Sequence, residues 1–110
     1  MNDGLIEHER KTIREIFSQF PEVKEAVLFG SRAKETAKPG SDLDFALKGE
    51  QIVLRTLIRI SSAMEESILP YEVNLLHFQS VASKELRQQI ENHGILFYSA
   101  DQAAIGETVK

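Results

Sequence analysis

Two aspartates one residue apart, Asp42 and Asp44, open the apolar run "DLDFAL" at residues 42–47. In a strand, side chains at i and i+2 share a face, so this pair projects together, with backbone positions roughly 6–7 Å apart. Two like charges that close repel unless a cation lies between them. Oxygen-only ligands favour Mg²⁺, which takes one or two carboxylates and completes its shell with water and substrate phosphate. A divalent-metal grip is the chemistry this spacing suits. The plainer alternative is turn chemistry at Ser41-Asp42.

Upstream, the apolar run "EAVLF" at 25–29 stops at Gly30-Ser31. Glycine lets the backbone come close to a ligand and take unusual dihedrals. Backbone N–H groups at a following helix start, with the Ser31 hydroxyl, would suit phosphate oxygens. Arg32 adds a permanent positive charge nearby. The chain has no G-x-x-x-x-G-K-[ST] loop. The plainer alternative here is a tight strand-to-helix turn capped by Ser31.

The elements that must position these residues follow from hydrophobic period and punctuation. Leu5, Ile6, Ile13, Ile16 and Phe17 recur at mostly helical spacing over residues 4–19, and Pro21 ends that helix. Residues 25–29 form a strand, a short helix starts at Ser31, "AKPGS" (37–41) is a loop, and 42–47 is a strand. A long helix spans about residues 50–68, with Ile52, Val53, Leu57, Ile60, Met64 and Ile68 as its inner stripe. Arg55, Arg59, Glu65 and Glu66 lie mostly off that stripe, on a solvated face. "YEVNLLHF" (71–78) is a third strand, and Ser83 caps a helix through His93 that ends at Gly94. "ILFY" (95–98) is a fourth strand, and residues 99–110 read as a flexible tail. This order predicts an α/β (α+β) fold, one domain over residues 1–98 with a sheet of about four strands flanked by helices.

Composition narrows the function. The chain has 110 residues, enough for one domain. It has no cysteine, which excludes a disulfide scaffold and thiolate metal sites. No apolar run is long enough for a transmembrane helix, and the polar start "MNDGLIEHER" does not read as a signal peptide. A cytoplasmic protein is the expectation. The net charge of −4 disfavours general nucleic-acid binding. His8, His77 and His93 are scattered and make no metal-spacing motif. Tyr71 and Tyr98 read as core or rim packing rather than base-stacking groups.

The segment "GSRAKETAKPGSDLDFAL" resembles the signature of the DNA polymerase β-like nucleotidyltransferase superfamily, and within it the minimal nucleotidyltransferases. Their pattern reads roughly G-S-R-A-x-G, a short loop, then S-D-x-D and apolar residues. Gly30, Ser31, Arg32, Ala33, Ser41, Asp42 and Asp44 match it in order, and the resemblance extends over roughly residues 5–98. It implies a palm-like domain that binds ATP or another nucleoside triphosphate with two Mg²⁺ ions, or Mn²⁺. It further implies transfer of the nucleotidyl group to an acceptor hydroxyl. By the same carry-over Gly30 and Ser31 would hold phosphates, with Arg32 and Ser41 beside them. Asp42 and Asp44 would ligate both metals.

Two positions depart from the pattern. The family's third carboxylate falls at Asn74, whose amide oxygen can ligate a metal but brings no charge and cannot act as a useful base. Glu72, two residues earlier and so on the same strand face, is the candidate to compensate. Glu35 stands where the family usually has glycine. The resemblance also implies a separate helical partner, of HEPN or substrate-binding type, because the chain has no substrate-gripping lobe. Some relatives are antitoxins that attach AMP to a tyrosine of the partner toxin. Two readings result: a metal-dependent nucleotidyltransferase, or a degenerate nucleotide- or partner-binding module silenced at Asn74. A homodimer is a further possibility for so small a palm.

Overall fold

The structure, a computed structural model, describes residues 4–34 and 40–101. Among the described residues three helices and four strands follow in the order α1 (Glu7–Ser18), β1 (Glu25–Phe29), β2 (Leu43–Lys48), α2 (Leu54–Glu65), β3 (Val73–His77), α3 (Lys84–His93) and β4 (Ile95–Ser99). A short 3-10 turn, Phe78–Ser80, follows β3. The strands form one mixed sheet in the order β3-β2-β1-β4. β1 pairs antiparallel with β2 and β4, whereas β2 and β3 run parallel. The expected α/β (α+β) class with a four-stranded mixed sheet is what the chain forms.

Period-two alternation sorts the strand side chains between two layers. Leu43, Phe45 and Leu47 of β2, with Ala26 and Leu28 of β1, face α1 and α2. There they meet Ile13, Ile16 and Phe17 of α1 and Ile60 and Met64 of α2. Phe45 is the hub, edge-on to Phe17 and to Phe97 with ring centroids 5.2 Å apart in both pairs. Burying an aromatic or aliphatic side chain of this size contributes about 1.5–3 kcal/mol, so this layer dominates the stability. On the other face Val27 and Ala46 pack with Phe78 and Ile90 under α3. Asp42 and Asp44 share the register of Ala46, so they project on the α3 side of the sheet.

Local chemistry sets the helix ends. Glu9 reaches back to accept the Ile6 N–H at 3.1 Å, which fixes the start of α1. Ser83 accepts the Leu86 N–H at 3.2 Å and caps α3, as its sequence predicts. α2 is shorter than the expected 50–68. Val53 is extended (φ −123°, ψ 173°), and the Ser67 hydroxyl donates to Met64 O while accepting from Leu69 N at 3.2 Å, so the helix stops there. Val53 and Ile68 therefore leave the expected inner stripe and are 59% and 61% exposed. Ile52, Leu57, Ile60 and Met64 keep it.

The short helix expected from Ser31 is a turn over residues 31–34, closed by Lys34 N–H to Gly30 O at 3.2 Å. Residues 35–39, and with them Glu35, lie outside the described residues. Ser99 and Ala100, the first two residues of the expected tail, are held by the sheet instead. Ser99 pairs with Glu25, and the Ala100 N–H donates to Lys24 O at 2.9 Å. Residues 102–110 lie outside the described residues. No helix among the described residues is long and apolar enough to cross a membrane.

Candidate active site

The site lies where β1 ends, β2 begins and β3 runs beside it. In the antiparallel ladder Phe29 stands opposite Asp44, which brings the Gly30 turn onto the aspartate. Gly30 has φ +80°, a left-handed value that an L side chain rarely adopts. A Cβ placed on Gly30 would stand 2.6 Å from Asp44 Oδ2. Glycine is required here twice, by dihedral and by space. Ser31 follows it, exposed at the turn.

The parallel ladder supplies the third member. Asp44 pairs with Asn74, so the two side chains rise side by side. Asn74 Nδ2 donates to Asp44 Oδ1 at 3.0 Å and to Asp42 Oδ2 at 3.3 Å. Turned the other way, the amide oxygen would face two carboxylates and be repelled, so the donor orientation follows from the chemistry. The amide occupies the position where a cation would relieve the aspartate pair. Asp42 and Asn74 are exposed and Asp44 is half-buried, so the group opens to solvent.

The donor set fits a hard divalent ion. One nitrogen already lies within 3.3 Å of an oxygen from each aspartate, and both oxygens are hard ligands. Asp42 and Asp44 would hold such an ion, and a flipped Asn74 would add its amide oxygen. Glu72 does not complete a third carboxylate. Among the described residues no three His, Cys, Asp or Glu side chains form a group that could hold a metal. Glu72 is exposed, lies before β3, and is tied into the fold by its carbonyl, which accepts the Leu43 N–H at 2.9 Å.

Arg32 is placed differently from the positive charge its sequence position suggests. It is 3% exposed. Its Nε and Nη2 donate to the Ser41 carbonyl at 3.0 and 2.7 Å, and its guanidinium lies 4.4 Å above the Tyr71 ring. Tyr71 in turn donates its hydroxyl to Glu9 Oε1 at 3.1 Å. Burial, reinforced by the hydrogen bond to the Glu9 carboxylate, raises the Tyr71 phenol above its ordinary value, and Arg32 opposes that rise. The chain Glu9–Tyr71–Arg32–Ser41 thus joins α1 to the residue immediately before Asp42. Sequence reasoning passed over Glu9. The signal was its place on the α1 core stripe, one turn before Ile13, where a charge needs a partner.

The remaining candidates are structural. His77 Nε2 donates to Gly49 O at 2.7 Å, which leaves Nδ1 to accept from Ser80 Oγ at 2.8 Å. His8 and His93 are exposed. Tyr98 is buried against Phe17, as core packing predicts. A wide hollow between Glu25, Lys48 and Ser99 lies at the far end of the strands and holds none of the site residues.

With this geometry in hand, the chain can be set beside known proteins. A family described as "Polymerase beta, Nucleotidyltransferase" matches residues 11–103. A search of curated proteins finds no match. Among solved structures, a toxin–antitoxin crystal structure with AMP-PNP contains a similar chain. It has 24% identity and a TM-score of 0.69, over 86% of this chain and 76% of that one. A minimal nucleotidyltransferase structure has 24% identity and a TM-score of 0.65, over 86% of this chain and 95% of that one. A tri-AMPylated HEPN toxin of Shewanella oneidensis in complex with MNT antitoxin has 20% identity and a TM-score of 0.56, over 88% and 75%. At these identities the solved structures speak for the fold, and the family match carries the assignment. The chain belongs to the polymerase β-like nucleotidyltransferase family.

Proposed function

We propose that this chain transfers an adenylyl group from ATP to a hydroxyl on a separate helical protein, with pyrophosphate as the leaving group, acting as the antitoxin of a HEPN-type toxin. The observation that carries this reading is the approach of the Gly30 turn to Asp44. It sets a turn suited to phosphate within contact of the carboxylate pair suited to a metal. The toxin–antitoxin neighbours, one solved with AMP-PNP and one with an AMPylated HEPN toxin, support the nucleotide and the partner class.

Each residue has a role in this reading. The Gly30-Ser31 turn receives the triphosphate tail, with the Ser31 hydroxyl as a donor. Asp42 and Asp44 would hold Mg²⁺, which when bound would supply positive charge against the reacting phosphate. Asn74 orients the two aspartates and brings no negative charge of its own. Arg32 acts through the Ser41 carbonyl, fixing the chain just before Asp42. No side chain at the third position can take the acceptor's proton, so the acceptor hydroxyl loses it to solvent or to phosphate oxygen.

One observation favours a second reading, a partner-binding module without transfer: Asn74, at the third position, donates to an oxygen of each aspartate and brings no charge of its own. The experiment that separates the two supplies ATP labelled at the α-phosphate, with Mg²⁺ or Mn²⁺, to the purified chain and lysate of its own source. A labelled protein band that disappears with Asp42→Asn/Asp44→Asn establishes transfer. A chain that captures a partner and labels nothing overturns the enzymatic reading.

A further inference from the structure

Helix α2 carries its charges in the order its own dipole disfavours. Arg55 lies in the first turn with Arg59 one turn on, and Glu65 and Glu66 stand at the C-terminal end. A helix stabilises anions at its N-terminus and cations at its C-terminus. Arg55 and Arg59 are also a like-charged i,i+4 pair, and none of the four has an opposite charge three or four residues away within the helix. Arg59 has its guanidinium 5.5 Å over the Phe20 ring, which holds it on one flank.

The outward face between these charges is apolar and then small. Leu54 is 72% exposed and Ile58, one turn on, is 56% exposed. Ser61 and Ser62 follow. A face that is basic and apolar at one end and small and acidic at the other is complementary to itself turned end for end.

We propose that α2 packs antiparallel against α2 of a second copy of this chain, about a two-fold axis near Ser61. Each Arg55 then lies beside Glu66 of the other copy. In this register Ile58 of each helix lies over Ser62 of the other, a small residue that lets the helices approach closely, and Leu54 lies beside Ser67 at the far end. The two dipoles oppose, so the charge order that weakens one helix alone stabilises the pair. The contact is isologous and closes at two subunits.

Sedimentation of the full chain, at low and high salt, tests this with Arg55→Glu, Glu66→Arg and the double variant. The wild type is expected to dimerise, more weakly at high salt. Each single reversal places like charges across both symmetric contacts and raises the dissociation constant about ten-fold or more. The double variant restores both pairs with signs exchanged and returns most of the affinity. A monomeric wild type overturns the proposal, including one that pairs only with a different helical protein. So does a double variant no tighter than the singles. Should a charge variant fail to fold, Ser62→Cys treated with a short bis-maleimide replaces it, because the chain has no other cysteine. A covalent dimer is expected, and monomer alone overturns the proposal.

Discussion

Asp44 and Asn74 are cross-strand partners in the parallel β2–β3 ladder, and the Asn74 amide donates to Asp44 Oδ1 at 3.0 Å. The same nitrogen reaches Asp42, so a neutral side chain joins two carboxylates that would otherwise repel. Replacing it tests what it does. Asn74→Asp removes both hydrogen bonds and adds a third negative charge. For a group this exposed the loss is about 1 kcal/mol, which lowers the melting temperature by about 4–8 °C in metal-free buffer. Added Mg²⁺ or Mn²⁺ should reverse the loss and stabilise the variant more than the wild type. Thermal melts with and without metal check this, and equal metal responses would show that Asn74 is not at the metal position.

Gly30 and Gly40 both hold left-handed backbone, with φ +80° and +84°, but only Gly30 is crowded. Among the described residues a Cβ at Gly40 meets nothing within 4 Å, whereas one at Gly30 meets Asp44 Oδ2 at 2.6 Å. Gly40→Ala should therefore cost only the dihedral strain, about 1 kcal/mol. Gly30→Ala should cost about 2–3 kcal/mol, because the Asp44 carboxylate must also move. Urea unfolding of the two variants side by side gives the difference. Nucleotidyl transfer should fall with Gly30→Ala alone.

The strand and helix positions around the site were legible because their signals are local. Residues 25–29 and the helix from Ser83 to His93 show their bounds in apolar period and capping residues. Asp42, Asp44 and Asn74 share a face because strand period is two, and the ladder turns that into contact. Val53 and Ile68 misled because helical period continues past the points where Val53 turns extended and Ser67 closes α2. Arg32 was legible as a charge and not as a buried one. Its partners Ser41 and Tyr71 are nine and 39 residues away, and only the folded chain brings them together.

Tyr71 makes stability depend on pH at the alkaline end. Its phenol is raised by burial first and then by Glu9, so the folded chain holds that proton more tightly than the unfolded chain. The stabilisation is complete below the ordinary phenol value near 10 and is lost as pH rises through the folded value. Tyr71→Phe should lose about 0.5–1.5 kcal/mol at neutral pH, where the hydrogen bond to Glu9 is removed. Above pH 10 the variant and wild type should converge. Urea unfolding across that range measures both effects, and a constant gap would assign the alkaline loss to other groups.

Arg32→Lys separates charge from geometry. If Arg32 served the nucleotide through charge alone, lysine would preserve much of its effect. The structure gives it another task, since two guanidinium nitrogens share the Ser41 carbonyl while the cation lies over the Tyr71 ring. A lysine ammonium has neither the fork nor the plane. Arg32→Lys should therefore cost about 1.5–3 kcal/mol in stability, the range of a hydrogen bond to a charged group. Transfer should drop through the turnover rate more than through KM for ATP, because Asp42 is displaced and no phosphate contact is lost. The ATP concentration dependence of labelling decides it: a variant impaired only in KM would return Arg32 to the phosphates.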